Sequence, residues 1–293
     1  MVVIDGSHAQ VSFDPRIPAV AEIEPGSTVR FDVDDAVLAR LAAGESIESI
    51  GPENLNTVTG PVGVRGAKPG DALRVDVLEV EISRAWTVWL PQFGPLGRHT
   101  NTIDIRELSV DGAGVRIGDS LRVPLQPMIG CIGLAPSEGS ASTMRPTYPF
   151  GGNMDLREMS PGATLWLPVQ TAGALLSVGD LHAAMGCGEP AHVSIEAGGS
   201  ATLRVDVEND RRIAFPRLRV GTDTICVGMD GAPRPAGGTA AAYQSAVDQA
   251  YTLLTDEHGL SPADAYAYVS ARVSTRFGGP AGSIVLAVVP DPN

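Results

Sequence analysis

A mainly β protein is what this 293-residue sequence predicts: a β-sandwich or distorted barrel of repeated turn–strand units, plus a smaller C-terminal α+β portion. Three observations carry that expectation. The 34 glycines and 23 prolines show no collagen-like period, so they mark turns at short intervals. Short segments alternate apolar with polar residues directly after those turns. Near residue 206 the character changes, and alanine-rich stretches with helical spacing follow.

Five segments share the turn–strand pattern: PGSTVRFDV (25–33), PGDALRVDV (69–77), IGDSLRVPL (117–125), PGATLWLPV (161–169) and GGSATLRVDV (198–207). In the second, Leu73, Val75 and Val77 point to one face and Arg74 and Asp76 to the other. Recurrent turn chemistry and internal duplication explain the pattern equally well. Residues 1–205 therefore form a β-rich domain that carries most of the site, and 206–293 an α+β portion. In the latter, residues 237–259 place Ala246, Ala250, Leu253 and Leu254 at helical spacing, with Gly259 as the stop. A second helix opens with Ser261 as N-cap, Pro262 at its first position and Asp264 at its third. GSIVLAVVP (282–290) reads as a buried closing strand, and the Pro/Gly-rich stretch 230–238 as a long loop.

The net charge of −13 excludes nucleic acid and anionic membrane as partners. No apolar run is long enough to span a bilayer. Three cysteines (Cys131, Cys187 and Cys226) make no disulfide framework, and the first ten residues do not read as a signal peptide. A cytoplasmic location is expected.

Several chemistries lack their residues. A Ser–Ser–Lys or Cys–Glu–Lys site needs a lysine, and Lys68, the only one, sits in GAKPGD away from any serine-rich loop. No G-x-S-x-G elbow, phosphate loop or dinucleotide fingerprint is present. Cys187 with His182 is a weaker nucleophile candidate than a bystander thiol. Metal chemistry fits better. Of the five histidines, His258 suits a helix end, His8 the solvated terminus and His192 a strand start. His99 lies in a polar loop that can reach a site. His182 stands among Asp180, Glu189 and several glycines, a donor set for zinc or another divalent ion. In PFGGNMDLRE (149–158), Asn153 and Asp155 share a side of an extended chain, and Gly151 and Gly152 clear space before them. Asp180 has a plain alternative: capping a turn as Asp71 and Asp119 do.

These stretches together carry a resemblance. TGPVGVRGAKPGD (59–71), PMIGCIGLAPSEG (127–139), GGNMD (151–155), GDLHAAMGCGE (179–189) and GLSPADAYAYVS (259–270) make the chain similar to the acetamidase/formamidase family. The resemblance implies a metal-dependent, homo-oligomeric (dimeric or larger) amidohydrolase acting on linear amide C–N bonds, converting short aliphatic amides to carboxylate and ammonia. It implies Asp155, His182 and Glu189 as metal ligands, with zinc first and calcium second. Asn153 and Gly152 are placed at the substrate, and Glu138 and Glu189 are the candidates for the catalytic carboxylate. Glu189 as the base with Asp180 as a ligand is the other arrangement. The sequence departs from the family pattern at Met185, where glutamine is usual, at Cys187, where an acid is usual, and at Phe150, where histidine is common. Those departures leave a second reading open, a divergent or non-catalytic member that binds a small molecule or metal.

Overall fold

The computed structural model describes residues 1–112, 114–145, 148–230, 238–279 and 283–292. Among these residues a single branched sheet of 16 strands dominates. Its spine runs through Gly151–Asn153, Met128–Gly133, Leu176–Ala184, Ile195–Glu208, Ala72–Trp89, Thr164–Pro168, Arg217–Val220, Asp223–Gly228, Ile284–Val289 and Ser274–Gly278, each antiparallel to the next. Ser27–Val33 branches from Ile195–Glu208, and Val58–Val64 from Leu176–Ala184. The protein is mainly β with a small helical part near its C-terminus, as the turn–strand pattern predicts.

The alternation works as expected in the first, second and fourth units. Val29, Phe31, Leu73, Val75, Leu165 and Leu167 are fully buried in the main core. On the opposite face Asp76 accepts hydrogen bonds from Thr164 Oγ1 (2.7 Å) and Arg204 Nη2 (2.7 Å), and pairs with Arg74 (3.1 Å). The third unit yields only the short, largely exposed Leu121–Val123, in a separate three-stranded sheet. The fifth differs from its expected form. Gly198 and Gly199 do not open a strand; they lie inside Ile195–Glu208, where the register against Ala72–Trp89 shifts. That strand also runs through position 206, where the composition changes. Two short helices, Ala36–Ala42 and Ile47–Ile50, interrupt the β-rich part and carry no sequence signal strong enough to predict them.

The C-terminal part extends the same sheet. Ile225, Val227, Ile284, Leu286 and Val288 enter the main core. Their neighbours Cys226, Val285, Ala287 and Val289 enter a second core with Ala242, Ala246, Ala250, Leu253 and Leu254 of the first long helix and its last turn. Burial on both faces explains why the closing strand Ile284–Val289 is continuously apolar. The helix Gly238–Thr252 passes into a wider turn over Leu253–Glu257, and His258 caps it by donating from its N–H to Leu253 O. Ser261 caps Pro262–Arg272 by accepting from Asp264 N (3.2 Å). Of the expected loop at 230–238, residues 231–237 lie outside the described residues. No described helix is long and apolar enough to cross a membrane.

The first long helix buries Ala242, Ala246 and Ala250, and a Cβ on Gly228 of the sheet would stand 2.6 Å from Ala246 Cβ, so Ala246→Leu inserts volume where little is free. The variant is expected to lose about 1–3 kcal/mol of stability in chaotrope unfolding, whereas Tyr243→Leu on the exposed side of the same helix stays within about 0.5 kcal/mol.

Candidate metal centre

The sheet order brings the two recognised motifs together. Met128–Gly133 lies between them, pairing Cys131 with Asn153 on one side and with Gly179 on the other. Gly130 is the opening. A Cβ there would stand 2.7 Å from Asp155 Oδ1 and 2.8 Å from Asp180 Oδ2, so the absence of a side chain is what lets both carboxylates approach. Gly130 O also accepts from Met154 N and Asp155 N, both at 3.1 Å, which ties down the turn after Asn153. Asp155 is therefore not on an extended chain, contrary to the expected i, i+2 arrangement. Its φ of 46° is left-handed. Asn153 and Asp155 still flank one site, because Asn56 Nδ2 donates to Asn153 Oδ1 and to Asp180 Oδ2 (3.2 Å each).

His182 is the hub. Its Nε2 lies 3.3 Å from Glu196 Oε2, 3.4 Å from Asp180 Oδ1 and 3.9 Å from Asp155 Oδ1. Glu196 stands directly opposite His182 on Ile195–Glu208. Glu189 completes the set. The turn Gly186–His192 holds it, with Glu189 N donating to Gly186 O (3.0 Å) and His192 N to Glu189 O (2.9 Å). Ser194 donates its hydroxyl to Glu189 Oε1 (3.0 Å) and its N–H to Glu196 Oε1 (2.9 Å). Two groups result, each with donor atoms within 4.8 Å of one another: Asp155, Asp180 and His182, and His182, Glu189 and Glu196.

Electrostatics sharpen the picture. Burial pushes Asp155 well above the carboxylate range, and the facing Asp180 and Glu189 add to it. Burial likewise carries Glu189 up to about 7. Burial pulls His182 down, but Glu196 and Asp180 outweigh it and hold the imidazole well above its ordinary value. Burial also opposes ionisation of Asp180, yet His182 and its hydrogen bonds keep that carboxyl below the usual range. Asp155 Oδ1, His182 Nδ1 and Asn56 Oδ1 are buried without a hydrogen-bond partner. Such atoms are costly unless something fills the space between them. The donor set fits a divalent cation. Two ligands about 2.0–2.1 Å from a tetrahedral ion stand about 3.4 Å apart, which matches the spacings of 3.3 and 3.4 Å at His182.

Of the residues expected at the site, Asp155, His182 and Glu189 meet here, and Asn153 joins through Asn56. Asp180 is a site group and not a turn cap. Asp71 does cap a turn, accepting from Lys68 N (3.0 Å) and Asp210 N (2.9 Å). Gly152 is buried beside the Tyr148 ring, with its carbonyl accepting from Met154 N (2.9 Å). Glu138 is exposed in the turn before Ala141 and joins neither group, so the expectation that it works beside them finds no geometric support. His99 is also exposed and outside both groups. Sequence reasoning missed Glu196, Asn56 and Ser194. Only the pairing of the two long strands reveals Glu196, although its place before Gly198–Gly199 in a strand was a faint signal. Asn56 lies just before TGPVG and Ser194 just after the GCGE stretch.

Comparison with known proteins places the chain in a family. The model of the acetamidase/formamidase family matches residues 5–145 and 137–286. A formamidase of Methylophilus methylotrophus is 26% identical over 259 residues, 67% of this chain and 63% of that protein. An acetamidase of Mycolicibacterium smegmatis is 25% identical over 66% of this chain and 64% of its own length. The chain thus spans less than two thirds of these curated relatives. The crystal structure of an acetamidase from Bacillus halodurans superposes with a TM-score of 0.87 at 30% identity, covering 98% of this chain and 96% of that one.

Raised carboxyl and imidazole values mean that the metal-free fold binds more protons than the unfolded chain. Its stability therefore falls as pH rises, for Glu189 between about 4.5 and about 7. In chelator, Tm is expected to drop from pH 5.5 to 8, and Glu189→Gln is expected to flatten that drop. A Tm that rises with pH would contradict the buried cluster.

Proposed function

The chain belongs to the acetamidase/formamidase family, and from that membership we propose that it is a metal-dependent amidohydrolase converting short linear aliphatic amides, formamide- and acetamide-like, to carboxylate and ammonia. The single observation that carries the reading is the buried imidazole of His182 with four carboxylates around it.

Asp155, Asp180, His182 and Glu196 would hold the ion. An imidazole in the donor set favours zinc over calcium, which takes oxygen ligands. A divalent ion held there supplies Lewis acidity toward water and toward the amide carbonyl. Glu189 then has the proton work. As the carboxylate left outside the ligand set, it takes a proton from water and carries it to the leaving nitrogen. The nitrogen requires that proton, since an amide anion is a very poor leaving group. The Ser194 hydroxyl holds the Glu189 carboxylate in one orientation. Asn56 Oδ1, buried without a partner, offers an acceptor to the substrate N–H.

The departures from the family pattern do not weaken this reading. Cys187 is exposed and its Sγ lies against Phe277 O (3.3 Å), so the side chain at this position turns away from the carboxylates. Phe150 stacks on Tyr148 with ring centroids 5.1 Å apart.

Ammonia release from formamide, acetamide and propionamide, measured with metal content on the same sample, tests the proposal. Chelation is expected to abolish turnover and one divalent metal to restore it. His182→Ala is expected to lose both metal and activity. Glu189→Gln should keep the metal and lose about 10²- to 10⁴-fold in kcat. Firmly bound metal with no ammonia from any amide would overturn the amidase reading.

A further inference from the structure

The chain between Ala72–Trp89 and Asp104–Leu108 folds down onto residues 191–194, next to Glu189. The approach is close. Gly94 has a φ of 62°, and a Cβ on it would stand 2.4 Å from Ala191 O. Phe93 meets the His192 ring edge-on, with centroids 6.5 Å apart. Trp89 Nε1 donates to Leu96 O (3.2 Å) and closes the loop on itself.

A cavity of about 230 Å³ lies in this seam, with Trp89, Leu90, Phe93, Leu96 and Val193 among the side chains that line it. Ser194 forms part of the same wall. It is the residue whose hydroxyl holds Glu189 and whose N–H holds Glu196, so the cavity abuts the carboxylate cluster. Thr87 also lines the cavity. The Thr87 hydroxyl oxygen is buried without a hydrogen-bond partner. Trp89, Phe93 and Leu96 are 39%, 43% and 48% exposed, a large apolar surface for residues so near a polar centre.

We propose that this cavity receives the acyl group of the substrate, and that the preferred substrates are primary amides with an apolar acyl chain of about four to six carbons, up to a phenyl ring. The inference rests on the amide-hydrolase reading and deepens it. Bulk sets the size: its volume of about 230 Å³ exceeds the ~150 Å³ that takes benzene in a sealed cavity, although Trp89, Phe93 and Leu96 leave this one open to solvent on one side. Charge sets the class. Carboxylates beside Ser194 disfavour an anionic ligand, and the apolar wall gives a strongly polar one no partners beyond the hydroxyls of Thr87 and Ser194. A neutral carboxamide with a hydrocarbon tail satisfies both ends.

The test is kcat/KM for ammonia release from acetamide, butanamide, hexanamide and benzamide by the metal-loaded protein, with calorimetric binding of the same amides. Each methylene that enters the cavity is expected to raise kcat/KM about fourfold. Val193→Phe and Leu96→Trp, which fill the cavity from opposite walls, are expected to lower the butanamide-to-acetamide ratio tenfold or more. Hydrolysis with no chain-length trend, or a ratio that both variants leave intact, overturns the pocket and leaves the amidase reading standing. If no amide is hydrolysed, binding decides. Hexanamide binding more tightly than acetamide, and less tightly in Val193→Phe, sustains the pocket without the activity; equal or absent binding overturns it.

Discussion

Four carboxylates converge on one imidazole in a space almost closed to water, and the rest of the construction answers to that concentration of charge. Burial, reinforced by an excess of acids over one histidine, pushes Asp155 and Glu189 toward their neutral forms, while Asp180 keeps its charge against His182. The backbone is constrained as well. Asp155, Asp180 and Glu189 have φ values of 46°, 56° and 42°, in the left-handed region where non-glycine residues cost of order 1–3 kcal/mol each. Such conformations persist only where neighbours over-determine them. Here Gly130 O receives two N–H groups from the Asp155 turn, Asp155 O receives Gly279 N at 3.3 Å, and Leu176–Ala184 is paired along both of its edges. The large sheet is the rigid frame that holds like charges in contact.

That arrangement explains which parts of the protein were legible in the sequence. Period-two alternation exposes a half-buried strand, so Leu73, Val75 and Val77 announced their face. The Ser261-Pro262 helix start and the apolar closing strand are equally local signals. His182, Asp155 and Glu189 were visible because they sit in glycine-rich motifs of recognised form. Glu196 was not, because its role comes from a cross-strand pairing with His182, a relation with no local trace. Glu138 drew attention by standing beside a matching motif, and the chain turns it to solvent. The short helices at Ala36–Ala42 and Ile47–Ile50 escaped for another reason: each is too short for periodicity to rise above its surroundings.

Asp71 and Asp180 show how little a dipeptide decides. Both follow glycine, and both lie near the start or middle of a strand. Asp71 has two backbone N–H donors and serves as a turn cap. Asp180 has an imidazole and an asparagine amide as partners and belongs to the buried carboxylate–imidazole cluster. The difference is the neighbouring strand, Met128–Gly133, whose Gly130 leaves room for the second carboxylate. Gly-Asp therefore acquires its role from what lies across the sheet.

The same geometry bears on how a reaction here would run to completion. A neutral amide crosses into an acidic site without electrostatic penalty, since it carries no net charge to be repelled. Hydrolysis changes that. The acyl fragment becomes a carboxylic acid that is ionised at neutral pH, and its proton passes to ammonia, giving one anion and one cation. The anion then meets the charge of Asp180 and of any ion held beside it, neither of which acts on the neutral amide in the same way. An apolar wall gives the hydrocarbon tail equal hold before and after the reaction, which by itself would retain product as firmly as substrate. Discrimination between the two therefore falls to the charged groups at the polar end, which act differently on a neutral amide and a charged carboxylate.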